Sequence, residues 1–71
     1  MVKFDRHARR RMKWRKISEA DVMMTLENPE RTEDTTKGRK NAYRFIGDRF
    51  IKVTYKIHPQ EILVISAVVK D

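Results

Sequence analysis

The sequence predicts an α+β fold in which two N-terminal helices pack on a three- to four-stranded antiparallel sheet. Two observations predict this fold class: apolar residues first recur with the spacing of a helix, and from Ala42 onward they recur at every second position, as in a strand. A chain of 71 residues has room for only one small core. We therefore expect a single domain over residues 1–71.

Helix one is predicted over Lys3 to Arg15. Phe4, Ala8 and Met12 recur at every fourth position, which places their side chains on one side of a helix. Val2 extends the same apolar seam. The first helix is therefore expected to begin within the first few residues of the chain.

Helix two is predicted to begin after Ser18, whose hydroxyl suits an N-cap. Asp21 stands three residues later and completes a variant of the capping box. Ile17 and Val22 have the spacing of a hydrophobic staple across this cap. The helix should end at Asn28-Pro29, because the residue before a proline avoids the helical region.

Three segments rich in β-branched and aromatic residues are predicted as strands: Ala42 to Ile46, Arg49 to Ile57 and Glu61 to Val69. Gly47-Asp48 suits a two-residue type II′ turn, and His58 to Gln60 makes the next connection. The three strands should therefore form an antiparallel meander. The polar segment Arg31 to Asn41 reads as a loop or a weak edge strand.

Alternation along the central strand predicts which side chains face the helices. Ile51, Val53 and Tyr55 fall on one side, and Lys52 and Lys56 fall on the other. In the last strand both alternating sets are apolar, so the sequence leaves open which set is buried. Whichever set is not buried is a candidate surface for a partner or a homodimer.

The chain is strongly basic. Seventeen Lys and Arg residues against ten Asp and Glu residues give a formal net charge of +7 at pH 7, with 39% apolar and 38% charged residues. That composition is typical of a globular protein. A positive charge of this size concentrates polyanions, so nucleic acid is the first partner to expect, although charge also serves solubility alone.

Composition also bears on the compartment. Without cysteine, neither disulfides nor thiolate metal sites hold the fold together, and a reducing compartment is allowed. No apolar run approaches the roughly 18 residues of a membrane span, and Met1 to Lys16 lacks the apolar segment of a signal peptide. We expect a cytoplasmic protein with no membrane partner.

The stretch "HARRRMKWRKIS" holds the most conspicuous candidates for chemistry. His7, Arg11 and Arg15 recur at every fourth position, beside the apolar seam. Guanidinium groups match phosphate oxygens and histidine exchanges protons near neutral pH, so the three suit phosphodiester chemistry, unless they form an ordinary solvated face. Trp14 could stack on a base, but a lone tryptophan in a small chain is expected in the core.

A second group of candidates belongs to the sheet. Lys52 and Lys56, with Arg44 and Arg49 on the neighbouring hairpin, predict a cationic sheet surface, although any half-exposed sheet shows polar alternation. Tyr43 could offer its phenol to a phosphate. The residues expected to bind nucleic acid are Arg10, Trp14, Arg44, Arg49 and Lys56.

The chain shows no glycine-rich phosphate loop, no two-histidine metal spacing and no nucleotide-binding fingerprint. The carboxylates of Glu27, Glu30, Glu33 and Asp34 are interpreted as solvated groups at a helix end. We expect neither a metal nor a cofactor.

The order of these residues resembles a family of small uncharacterised prokaryotic domains with the signature H-x-x-x-R-M-x-x-R-x-I. His7, Arg11, Met12, Arg15 and Ile17 match that signature. The segments "NPE", "GRKNAYRF", "IKVTYK" and "EILVISAVV" extend the resemblance over nearly the whole chain. The two helices and the antiparallel sheet also look like the RelE, ParE and BrnT toxins of bacterial toxin-antitoxin pairs, many of which cut RNA.

The resemblance implies metal-independent RNA cleavage, in which the ribose 2′-hydroxyl attacks the adjacent phosphate. On that model His7 is the acid or base, and Arg11 and Arg15 hold the scissile phosphate. Lys52 would help neutralise the phosphate, and Tyr43 would position the nucleotide or protonate the leaving group. An acidic antitoxin would be the protein partner.

Three functions therefore stand after the sequence. The first is a toxin-like, metal-independent ribonuclease. The second is a nucleic-acid-binding or ribosome-associated module without catalysis, for which the basic surface alone would serve. The third is a protein-interaction module or a decayed toxin, favoured by the apolar last strand.

Overall fold

The structure, a computed structural model that describes residues 1–70, confirms the α+β class with two helices on one side of a single sheet. The elements are β1 Val2–Phe4, α1 Arg6–Arg15, α2 Glu19–Glu27, β2 Arg31–Asp34, β3 Arg39–Ile46, β4 Arg49–His58 and β5 Glu61–Lys70, with a 3₁₀ turn at Thr36–Gly38. The five strands lie in the order β1-β5-β4-β3-β2.

The prediction of three to four antiparallel strands is wrong, because the sheet has five strands and is mixed. Strand β1 runs parallel to β5, and Phe4 pairs with Val64. Helix one does not begin at Lys3, since Val2–Phe4 form β1. Asp5 is the actual N-cap, and its carboxylate accepts a hydrogen bond from the His7 main-chain N–H at 2.8 Å. Phe4 and Ala8 are four positions apart, as on one face of a helix, and this spacing outweighs the alternation of a strand of only three residues.

The start of α2 is as predicted. The Ser18 hydroxyl accepts a hydrogen bond from Asp21 N at 3.0 Å, and the Asp21 carboxylate accepts one from Ser18 N at 3.2 Å. Ile17 and Val22 on either side of this capping box are both buried. The helix ends at Glu27, immediately before Asn28-Pro29. The local sequence signals therefore determine both ends of α2.

The segment after α2 contains the edge strand β2, the 3₁₀ turn and the start of β3. β2 is exposed along its whole length and pairs antiparallel with β3. Lys37 and Gly38 have positive φ angles of 65° and 71°, which give the turn its left-handed backbone. Of the two interpretations left open, the edge strand is the correct one.

The core lies between the helices and the three central strands. Its buried members are Ala8, Met12, Ile17, Val22, Ile51, Val53, Val64 and Ala67. Full burial of a valine, isoleucine or methionine side chain stabilises the folded state by about 1.5–3 kcal/mol. Ile51 and Val53 are on the helix side of β4, as the alternation predicts, and Tyr55 packs against the same core.

A β-bulge explains why both sides of β5 are apolar. Thr54 pairs with Ser66 whereas Tyr55 pairs with Val64, so Ile65 is an additional residue in β5. On one side of the bulge the alternating set that contains Ala67 faces the core, and on the other side the set that contains Val64 faces it. Each apolar set is therefore buried in one half of the strand.

Trp14 is 78% exposed, so the expectation that it lies in the core is wrong. Ala8 and Met12 form the buried face of α1. Trp14 stands two positions after Met12, which rotates its side chain by roughly 200° around the helix axis.

Among residues 1–70, no helix has the length and apolar character needed to cross a membrane.

Candidate functional site

The side of the sheet opposite the helices carries an ordered group of polar and aromatic side chains. We call this surface the open face and define it by Arg31, Glu33, Asn41, Tyr43, Phe45, Phe50, Lys52 and Thr54. The strand register places these residues together, since Tyr43 pairs with both Arg31 and Lys52, and Asn41 pairs with both Glu33 and Thr54. Ile51 and Val53 face the helices, so Lys52 and its alternate neighbours face away from them.

A chain of hydrogen bonds crosses three strands of the open face. The Tyr43 hydroxyl and the Asn41 side-chain amide, the latter at 3.0 Å, both donate to Glu33 Oε1. The Thr54 hydroxyl donates to Asn41 Oδ1 at 2.6 Å. Tyr43 is only 5% exposed and Asn41 only 7%. Buried polar groups require such partners, so the cluster holds the Glu33 carboxylate in one place.

Cations surround this carboxylate. The Arg31 guanidinium carbon lies 4.2 Å from the centre of the Tyr43 ring. The hydrogen bonds from Tyr43 and Asn41, with weaker contributions from the positive charges of Arg31 and Lys52, hold the pKa of Glu33 below its ordinary value, although desolvation acts in the opposite direction. Glu33 is therefore an anion at neutral pH.

The pKa of Tyr43 is shifted in the opposite direction from that of Glu33. Its hydrogen bond to Glu33 and its burial raise the pKa of the phenol, despite the nearby Arg31 charge. The hydroxyl therefore keeps its proton and directs it to Glu33. This geometry favours a positioning role for Tyr43 over protonation of a leaving group.

An aromatic strip adjoins the polar cluster. Tyr43 and Phe50 stack with their ring centroids 5.6 Å apart, and Phe45 lies 4.6 Å from Phe50 in a tilted arrangement. Phe45 is 52% exposed, unlike most large apolar side chains of the sheet. The open face thus combines an accessible aromatic ring, two cations and a positioned carboxylate.

The predicted catalytic residues fall into two groups. Tyr43 and Lys52 are cross-strand neighbours on the open face. His7, Arg11 and Arg15, which we call the helix-1 stripe, are exposed residues of α1 in the helix layer on the other side of the sheet. The structure therefore does not bring the five residues into one site.

Within the helix-1 stripe, Arg15 is tied to the sheet. Its guanidinium donates to the main-chain oxygen of Ala67 in β5 at 3.0 Å. Arg10 and Trp14, two of the expected nucleic-acid-binding residues, are also exposed on α1. These side chains form a basic helical surface that is separate from the open face.

Arg44 and Arg49 do not share a surface with Lys52 and Lys56, so this part of the predicted cationic sheet surface is wrong. Arg44 donates to the Asn28 main-chain oxygen at 2.8 Å. Arg49 donates to the main-chain oxygens of Arg15 and Lys16 at 3.3 and 3.0 Å, after the last turn of α1. Arg49 and Lys52 are three positions apart in β4, an odd spacing that places them on opposite sides.

Sequence reasoning missed Arg31, Glu33, Asn41 and Thr54 as members of a site. Glu33 reads as a solvated carboxylate as long as its segment can be either a loop or a weak edge strand. Alternation of Arg31 and Glu33 in an edge strand would have placed both on one side. Their neighbours Asn41 on β3 and Thr54 on β4 could only be found from the strand register.

Among the residues that the structure describes, no group of three His, Asp or Glu side chains lies close enough to hold a metal ion.

A family model described as Domain of unknown function (DUF4258) matches residues 4–69. The match covers nearly the whole chain, so the protein belongs to this family. No curated protein and no solved structure matches the chain.

Proposed function

Starting from a family without an assigned reaction, we propose that this DUF4258 domain is a toxin-like, metal-independent ribonuclease that binds single-stranded RNA on the open face. The supporting observation is the combination of exposed Phe45, the cations Arg31 and Lys52, and the positioned Glu33 carboxylate on one sheet surface. Single-stranded RNA is the polyanion whose unpaired bases such a surface can stack.

The binding step uses two kinds of contact. A base stacks on Phe45 beside Phe50, as bases do on the aromatic side chains of other sheets that bind RNA. Arg31 and Lys52 neutralise the phosphates on either side of that base. Lys56 and Arg39 pair across β3 and β4 on the same side of the sheet and extend the cationic path.

The reaction is attack of the ribose 2′-hydroxyl on the adjacent phosphate, which needs no metal when cations stabilise the additional negative charge. The resemblance to RelE, ParE and BrnT toxins, many of which cut RNA, supports this choice. The helix-1 stripe then serves as a second phosphate-binding surface, reached by RNA that passes the edge of the sheet. Substrate RNA could be presented free or by the ribosome.

A toxin of this kind is held inactive by an antitoxin. An acidic segment that lies on the open face would meet Arg31 and Lys52 and would exclude RNA from Phe45. Charge complementarity between an anionic partner and this cationic surface would speed their association at low ionic strength.

A non-catalytic RNA-binding module is the second candidate, because the same stacking and cationic contacts bind RNA without any reaction. One experiment separates the two: labelled single-stranded RNA is incubated with the purified protein in a chelator, and both retention and products are measured. Cleavage supports the ribonuclease. Retention without cleavage supports the binding module. If the RNA is neither retained nor cleaved, the result contradicts the proposal.

A protein-interaction module is the third candidate. Strand β1 pairs with β5 only over Ile62–Val64, so in the described chain the remainder of β5 has a strand neighbour only on the β4 side. Such an edge can pair with another chain, including a second copy in a homodimer. Arg15 occupies the Ala67 oxygen of this edge, which works against that pairing.

A further inference from the structure

We propose that Glu33 is the catalytic base of an RNA-cleavage centre on the open face, where Oε2 accepts the proton of the ribose 2′-hydroxyl. Tyr43 and Asn41 are positioning residues that hold the carboxylate, and Arg31 and Lys52 hold the scissile phosphate. This inference rests on the proposed function and names the residues that carry out its reaction.

The hydrogen bonds to Glu33 leave one oxygen for a substrate. The Tyr43 hydroxyl and the Asn41 amide both donate to Oε1, and neither contacts Oε2. Two donors on one oxygen fix the plane of the carboxylate, because Tyr43 and Asn41 are themselves nearly buried in the sheet. A base must be positioned within hydrogen-bond reach of the proton that it removes.

Other candidate bases fit less well. His7 lies on α1, in the layer across the sheet from Lys52 and Arg31. Glu61 is bound to Lys3 at 3.3 Å. Glu30 accepts a hydrogen bond from Phe45 N at 2.9 Å, so it holds the main chain. Glu33 is the carboxylate that stands among the cations and beside the aromatic strip.

The cation arrangement suits a phosphate next to Glu33. Arg31 stands two positions before Glu33 in β2 and stacks on Tyr43, whose hydroxyl contacts Glu33. Lys52 is the neighbour of Tyr43 on β4, whereas Arg31 is its neighbour on β2. A phosphate held by the Arg31 and Lys52 side chains therefore lies close to Tyr43, with its ribose toward the carboxylate.

The step balances without a co-reactant. Glu33 Oε2 takes the proton of the 2′-hydroxyl, the 2′-oxygen forms a bond to phosphorus, and the bond from phosphorus to the 5′-oxygen breaks. The departing 5′-oxygen takes a proton from the Lys52 ammonium group. The products are a 2′,3′-cyclic phosphate and a 5′-hydroxyl, and water returns the proton from Glu33 to Lys52.

The test compares Glu33→Gln with Asp34→Asn in the full chain, using labelled single-stranded RNA in a chelator and the same sequence as DNA. Asp34 is the neighbouring carboxylate in β2 and is bound to Lys40, so it faces the other way. Glu33→Gln should lower the cleavage rate by about a hundredfold or more, as expected for a lost general base, with RNA retention unchanged. Asp34→Asn should cleave at the wild-type rate, and the DNA should stay intact.

A second variant keeps the test decisive if Glu33→Gln is unstable. Tyr43→Phe keeps the carboxylate and removes one of the two donors that orient it, so loss of orientation should lower the rate by roughly tenfold although the pKa of Glu33 rises, as an NMR titration would show. Cleavage at the wild-type rate in both variants would overturn the role of Glu33 alone. Cleavage that leaves no cyclic phosphate would also overturn the attack by the 2′-hydroxyl. RNA retention without any wild-type cleavage overturns both this inference and the ribonuclease, and absence of retention overturns RNA binding itself.

Discussion

The two basic surfaces of this protein differ in how firmly their side chains are held. On α1, the helix-1 stripe, Arg10 and Trp14 are exposed, and Arg15 is joined to the sheet by one hydrogen bond. On the open face, hydrogen bonds link side chains from three strands and hold Tyr43 and Asn41 nearly buried. Charge attracts RNA to either surface, but only the open face is organised to position it.

The largest effect on binding is expected at the exposed aromatic ring of the open face. Phe45→Ala should weaken binding of single-stranded RNA by about 5- to 150-fold, since stacking of one base contributes about 1–3 kcal/mol. Trp14→Ala is the matched control, because Trp14 is 78% exposed on α1. Fluorescence anisotropy with a labelled oligonucleotide gives both affinities. A larger loss in Trp14→Ala would transfer the binding site to α1.

The next effect concerns the arginine that joins the helix layer to the sheet. Arg49→Ala should lower the free energy of unfolding by about 1 kcal/mol, because it removes hydrogen bonds to the main-chain oxygens of Arg15 and Lys16. RNA affinity should fall only by the general effect of one lost charge. Urea denaturation and anisotropy measure the two quantities. Unchanged stability with a tenfold loss of affinity would return Arg49 to the RNA-binding residues.

A smaller effect is expected from single lysines. Lys52→Ala should reduce the slope of log affinity against log salt by about one, as for one lost phosphate contact. Lys13→Ala on α1 removes the same charge from an exposed helical position. Its slope should stay close to that of the wild type. Equal slopes in the two variants would mean that net charge alone determines binding.

The smallest effect is a change in titration. Because the pKa of Glu33 is lowered in the folded protein, its contribution to stability is present above the ordinary carboxyl pKa of 4.5 and is lost as pH falls through the lowered value. Tyr43→Phe removes the main cause of the lowering. The stability of this variant should therefore depend less on pH in the acid range, as followed by thermal unfolding. An unchanged profile would show that the Tyr43 hydroxyl does not support the carboxylate.

The fold was more predictable than the site, for reasons that particular residues show. The capping box of Ser18 and Asp21 is a local signal, and so is the alternation around Ile51 and Val53. Strand β1 was missed because three residues give too little alternation to outweigh the helical spacing of Phe4 with Ala8.

The open face depends on contacts between distant parts of the chain. Glu33 and Tyr43 are ten positions apart, and only the register of β2 on β3 joins them. The left-handed turn at Lys37 and Gly38 sets where the two strands meet. The bulge in β5, which decides the buried side of that strand, likewise has no local signal at Ile65. Tyr43 and Lys52 were found because strand alternation does carry their positions.

The measurement that tests the central claim most directly is an NMR titration of isotope-labelled protein with a single-stranded RNA oligonucleotide in a chelator. The main-chain amide signals of Arg31, Tyr43, Phe45 and Lys52 should shift together, at RNA concentrations below those that shift the signals of His7 and Arg11. Shifts confined to α1, with the open face unaffected, would contradict the account and identify the helical surface as the RNA-binding site.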